Sequence, residues 1–146
     1  MKRWSVHQLN VNRIAGWLFL YIIFVVFSII QSIKSVVSVM NGGLGEAAAS
    51  WGLPTNDALI IELLGLVVLI LSIISVKLIY SRKRHVPKMI IAFEIIYLVV
   101  LIYEYMKLSG SEAQVPDSWL IVGIIVKIIW IDYFVRSKRV KMTFVH

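Results

Sequence analysis

Residues 58–79 read ALIIELLGLVVLILSIISVKLI, with one acid at Glu62, one base at Lys77 and nothing more polar than serine between them. At ~1.5 Å rise per residue, even an 18-residue helix reaches about 27 Å, close to the roughly 30 Å hydrocarbon core of a bilayer. The stretch is therefore long enough to cross a membrane. A strand is the competing reading for Ile- and Val-rich sequence, but the run is too long and too continuous for an alternating barrel strand. A helix satisfies its own backbone groups where no water can. Three further stretches follow the same rule, so spans are predicted at about residues 14–33, 58–79, 89–106 and 118–135. The expected fold is all-α: a single transmembrane domain over residues 1–146, built as a four-helix bundle.

Composition supports this assignment. Of 146 residues, 60% are apolar and 16% charged, against roughly 45–50% and 25% in soluble domains, and the mean hydropathy is +0.87. Such a chain has too little polar residue to cover a soluble surface. It has no cysteine, which excludes disulfides, thiolate metal sites and cysteine nucleophiles.

The formal charge of +7 is unevenly placed. Lys2, Arg3 and Arg13 precede span 1. Lys77, Arg82, Lys83, Arg84 and Lys88 surround the 80–88 connection, and Arg136, Lys138, Arg139 and Lys141 follow span 4. The 34–57 connection has no base after Lys34, and the connection after span 3 has only Lys107. By the positive-inside rule both termini, the 80–88 loop and the 136–146 tail are expected in the cytoplasm, with the 34–57 loop outside. Trp17, Tyr80 and Tyr133 then mark the inner interface, and Tyr103, Tyr105 and Trp119 the outer one. The apolar run of span 1 is too long for a signal peptide's core, and the small-residue stretch at Ala47–Ser50 lies too far beyond it, so cleavage is not expected.

Four passages together resemble a known family: IAGWLFL at 14–20, IIELLGLVVLILS at 60–72, YSRKRHVPK at 80–88 and WIDYFVRSKRVKMTFV at 130–145. They are similar to an uncharacterised bacterial inner-membrane family, the YdgK-like domain of unknown function, with the RSKRVKMTFV segment the most specific. The resemblance covers essentially the whole chain. It implies four helices in the bacterial inner membrane, and brings neither an activity nor catalytic residues.

Charged groups inside spans are costly and point to function. Glu104 is expected to pair with Lys107 and Asp132 with Arg136, at helical spacings of three and four. Lys34 and Lys77 sit at span ends, where snorkelling accommodates them. Glu62, Glu94 and Lys127 have no partner on their own helix. Counted from the expected outer boundary they lie ~6, ~19 and ~13 Å deep, which places Lys127 near the midplane. Its stem reaches roughly 6 Å, so either Glu94 or Glu62 is within range, with Glu94 favoured by the span 3–span 4 hairpin. Gly123 and Trp130 share the face of Lys127, Gly123 to permit close helix approach and Trp130 to cover the ammonium. The group is expected to be an ion pair that sets helix register, or a polar contact for ion movement or a partner helix.

Chemistry beyond that is not assembled. His7, His85 and His146 fall in tails or loop with no metal-binding spacing, so no metal or cofactor is expected. Asn41–Gly45 reads as a turn and not a phosphate loop, with a short helix expected after it at residues 45–51. Ser72 and Ser75 have no neighbouring base, and are expected to bond back to their helix or to pack against another helix. Arg82, Lys83, Arg84, Arg136, Lys138, Arg139 and Lys141 adjoin helix ends, where anionic lipid, and not nucleic acid, is the expected partner. The closing VKMTFV, by its alternation, is expected to be a short extended or interfacial segment laid on the membrane. The expected function is non-enzymatic: binding to another membrane protein, or to itself, as an accessory, regulatory, scaffold or immunity-type subunit. The alternative is an oligomeric channel or small ion- or proton-coupled transporter using Lys127, Glu94 and Glu62.

Overall fold

The computed structural model describes residues 16–81, 83–109 and 117–144, and among them every regular element is a helix. In chain order these are α1 (Trp17–Ser50), α2 (Thr55–Ser81), α3 (Val86–Leu108), α4 (Asp117–Arg136) and the short α5 (Lys138–Thr143). The first four are long and apolar enough to cross a membrane. Only 11 to 28% of their apolar windows is buried inside the bundle. Phe19, Ile23, Ile70, Val99 and Ile128 are among the side chains that face outward, a surface that calls for lipid.

Helix α1 departs from expectation. It does not stop near Ile33 but runs on to Ser50, so the short helix expected at residues 45–51 joins α1 and most of the expected 34–57 loop is helical. Gly43, at φ 80° and ψ 160°, breaks it into a long and a short segment. That backbone conformation is open to glycine and strained for other residues. The end of α1 is a full Schellman closure: Leu53 N–H donates to the Ala48 carbonyl at 3.0 Å and Gly52 N–H to Ala49 at 3.2 Å, with Gly52 at φ 62°. This satisfies carbonyls the helix would otherwise leave open. Pro54 follows and α2 begins at once, which leaves a connection of residues 51–54.

Helix α1 packs along α2 and α3 along α4, with a lighter α2–α3 seam. Where α1 begins, α2 ends, α3 begins and α4 ends, the exposed bases Lys83, Arg84, Arg136, Lys138 and Lys141 gather; this is called the basic end. Arg82 and the side chain of Arg139 lie outside the described residues.

The main core is at the basic end. Leu18, Tyr21, Ile22, Ile79, Ile90, Trp130 and Phe134 pack there together with Val140 and Phe144 from the tail. The tail is thus a short helix packed into the bundle and not an extended segment. Ser137 caps α5 by accepting from the Val140 N–H, and the turn that follows α4 brings Val140 and Phe144 inward while Lys138 and Lys141 stay exposed. Burying a valine and a phenylalanine outweighs leaving them at a polar surface. A smaller cluster of Leu101, Leu108 and Leu120, with Trp51 and Leu53 against it, lies towards the far end.

Candidate functional site

Glu94 is the most buried carboxylate among the described residues, with 5% of its surface exposed. It sits on α3 and is held by two other helices. The Tyr21 hydroxyl on α1 donates to its Oε1 at 2.6 Å. Lys127 Nζ on α4 lies 3.0 Å from its Oε2, and the same ammonium lies 3.7 Å from the centroid of the Tyr97 ring. A buried carboxylate is tolerable only when paired and hydrogen-bonded, and here both oxygens are engaged. Lys127 has 12% side-chain exposure, so little solvent screens the pair. Helix α2 closes the fourth side, where Ser72 and Ser75 line a space of about 10 Å³ beside Glu94. Ser75 also donates back to the Leu71 carbonyl at 2.8 Å.

The structure brings together Lys127 and Glu94 but not Lys127 and Glu62. Glu62 instead accepts a hydrogen bond from Ser35 of α1 at 2.8 Å, a donor that the extension of α1 beyond Ile33 supplies. Two expectations for the surroundings of Lys127 need correction. The aromatic ring over its ammonium is Tyr97, on the facing helix, not Trp130. A side chain three residues along the same helix is aimed into the neighbouring core, and Trp130 is buried against Tyr21, 5.1 Å away edge to face. Gly123 lies beside Leu101, where a Cβ would sit 3.6 Å from Leu101 Cδ1, which is ordinary contact. Close approach does not depend on that glycine.

Tyr21 was not expected. Its hydroxyl fixes Glu94 while its ring packs edge to face on Trp130 and on Phe134, 4.9 Å away. The signal for it lay in the spacing of Trp17, Tyr21 and Phe24, one aromatic stripe on a helix, and in a tyrosine placed inside an apolar run. Trp17 and Phe24 also meet Trp130, at 6.3 and 5.9 Å.

Glu104 does not pair with Lys107. The ammonium of Lys107 bonds both oxygens of Asp57, at 3.1 and 3.2 Å, and so ties the start of α2 to the end of α3. A cross-helix carboxylate with both oxygens in reach outcompetes one three residues away on the same helix. Glu104 points into the bundle instead. Asp132 and Arg136 do pair along α4, N to O, on an exposed surface.

Towards the far end α1 and α4 separate around a cleft of about 300 Å³, with Phe27, Ser32 and Gln31 on one wall, Val122 on the other and Lys127 at its floor. A second cavity of about 340 Å³ adjoins it, bounded by Glu62, Trp51 and Ser35. Gln31, Ser32, Tyr97, Glu104 and Trp119 line both. Among the described residues no three potential metal ligands cluster. At the basic end Lys83, Arg84, His85 and Lys88 ring a shallow open depression.

No curated protein and no solved structure matches the chain. Residues 11–145 match one family model, described as a protein of unknown function (DUF2569). With nearly its whole length covered, from before α1 to the end of the tail, the chain belongs to that family.

Proposed function

We propose that this is a non-enzymatic bacterial inner-membrane protein with both termini in the cytoplasm, which acts by receiving a transmembrane helix of another membrane protein in the cleft between α1 and α4. The observation that carries this reading is the shape of the cleft. The two helices touch at the basic end through Tyr21, Phe24 and Trp130, then part around a space with apolar rims at Phe27 and Val122 and polar groups within. A groove of that kind suits an occupant arriving in the plane of the bilayer, with polar contacts worth about 1–2 kcal/mol each once lipid is excluded. An accessory or regulatory subunit fits this description.

The polar cavities favour a second reading, an oligomeric channel or small ion- or proton-coupled transporter. Packing opposes it within one protomer, because Trp130, Phe134, Val140 and Phe144 fill the basic end. Any path would run between protomers.

Photo-crosslinkers placed at Phe27 and Val122, with Ile70 on the lipid-facing side of α2 as the control, test the two in native membranes. The subunit reading expects one defined heterologous adduct from the cleft positions and none from Ile70. Adducts only between copies of this chain would replace it with the oligomer. Identical lipid-only labelling at all three positions would sink it.

A further inference from the structure

Glu62 and Glu104 come from different helices, α2 and α3, and line one cavity of about 340 Å³. Both are half-buried and face the same space. The cations able to neutralise them are committed elsewhere. Lys107 is held by Asp57, Lys127 by Glu94, and Lys34 is exposed and outside the cavity lining. Among the described residues no base lines this cavity. One hydroxyl, that of Ser35, donates to Glu62. Two like charges sharing a half-buried space repel each other unless a positive charge or a proton comes between them.

The walls select the kind of charge. Trp51 and Trp119 line the cavity alongside the acids, and indole faces attract diffuse organic cations. A hard divalent ion needs a dense cage of oxygens, which two carboxylates and a serine do not provide in so large a space. The volume falls within the range of small-molecule sites, ~300–1,000 Å³. Access exists through the α1/α4 cleft, which shares Gln31, Ser32 and Glu104 with this cavity and has lipid-facing rims, so a ligand already dissolved in the bilayer can reach it.

We infer that this cavity binds a monovalent organic cation with apolar substituents, its charge between Glu62 and Glu104 and its apolar groups against Trp51 and Trp119. Because Glu104 and Trp119 line both spaces, a helix docked in the cleft would cover the entrance to this site, and the binding test is therefore made on the chain alone.

The test uses the full chain in nanodiscs of neutral phosphatidylcholine. Radiolabelled tetraphenylphosphonium is the probe, and triphenylphosphine oxide, similar in its rings but uncharged, is the competitor. One saturable site per chain is expected, with the phosphine oxide competing at least tenfold less well than unlabelled cation. Glu62→Gln/Glu104→Gln should weaken binding tenfold or more, Trp119→Ala several-fold, and Glu46→Gln, an exposed acid elsewhere, not at all. Absence of saturable binding to the wild type, equal competition by the neutral compound, or unchanged binding by a folded double variant would each overturn the inference. The competitor comparison needs only the wild type, so it decides the matter even if the double variant fails to fold.

Discussion

Lys127 and Glu94 meet across the α3–α4 seam with Nζ 3.0 Å from Oε2, and Tyr21 reaches the same carboxylate from α1. One buried acid therefore joins three helices. Removing one member of a buried pair leaves an uncompensated charge, so Lys127→Met is expected to lower stability by about 3–5 kcal/mol. Lys127→Met/Glu94→Gln should recover more than half of that loss. Reversible unfolding in detergent measures both; a double variant as unstable as the single one would contradict the pairing.

Tyr21→Phe separates the hydroxyl from the ring. The hydrogen bond to a charged group is worth about 1.5–3 kcal/mol, while the edge-to-face contacts with Trp130 and Phe134 survive. Trp130→Ala removes a fully packed indole and should cost about 3–5 kcal/mol. Comparing the two variants by the same unfolding measurement tests whether the stripe serves mainly as packing or as support for Glu94. Equal losses would count against the separation drawn here.

Phe144 belongs to the core at the basic end, with 3% of its surface exposed. Phe144→Ala is expected to cost about 3–5 kcal/mol and to open the tail to limited proteolysis. A tail resting on the membrane surface would show a loss near zero.

Two glycines should behave differently. Gly43 has φ 80°, so Gly43→Ala is expected to destabilise by about 1–3 kcal/mol through backbone strain. Gly123→Ala places its methyl at ordinary contact distance from Leu101 and should change stability by less than about 0.5 kcal/mol. Melting temperatures of the two variants, compared side by side, check the contrast.

The chain has no cysteine, so single cysteines report topology without background. In inverted and right-side-out vesicles, cysteines at Ser81 and Ser137 are expected to react with a membrane-impermeant maleimide only from the cytoplasmic side. Those at Ser50 and Ser109 should react only from outside. The opposite pattern would reverse the orientation expected from the bases.

Four membrane-length helices were legible in the sequence because apolar continuity is a local property: a run such as 58–79 has one satisfactory conformation in lipid whatever surrounds it. Three of the four helices end within three residues of the expected bounds. The family was legible too, in passages spread along the whole chain. The unusual charges at Glu62, Glu94 and Lys127 could be picked out because an ionisable group in an apolar run stands out by itself. The hairpin of spans 3 and 4 already favoured Glu94 as the partner of Lys127, as found; the other partners could not be read, because partner choice depends on how helices are rotated and how far apart they lie. That rotation gave Glu94 to Lys127 and Tyr21, Glu62 to Ser35 and Lys107 to Asp57. It put Tyr97 over the ammonium where Trp130 was expected. The inward turn of Val140 and Phe144 was likewise a tertiary outcome, since the mixed tail carries no strong local preference and takes the conformation that buries its apolar side chains, and only the packing of α1 on α2 set Ser35, on the extension of α1, against Glu62.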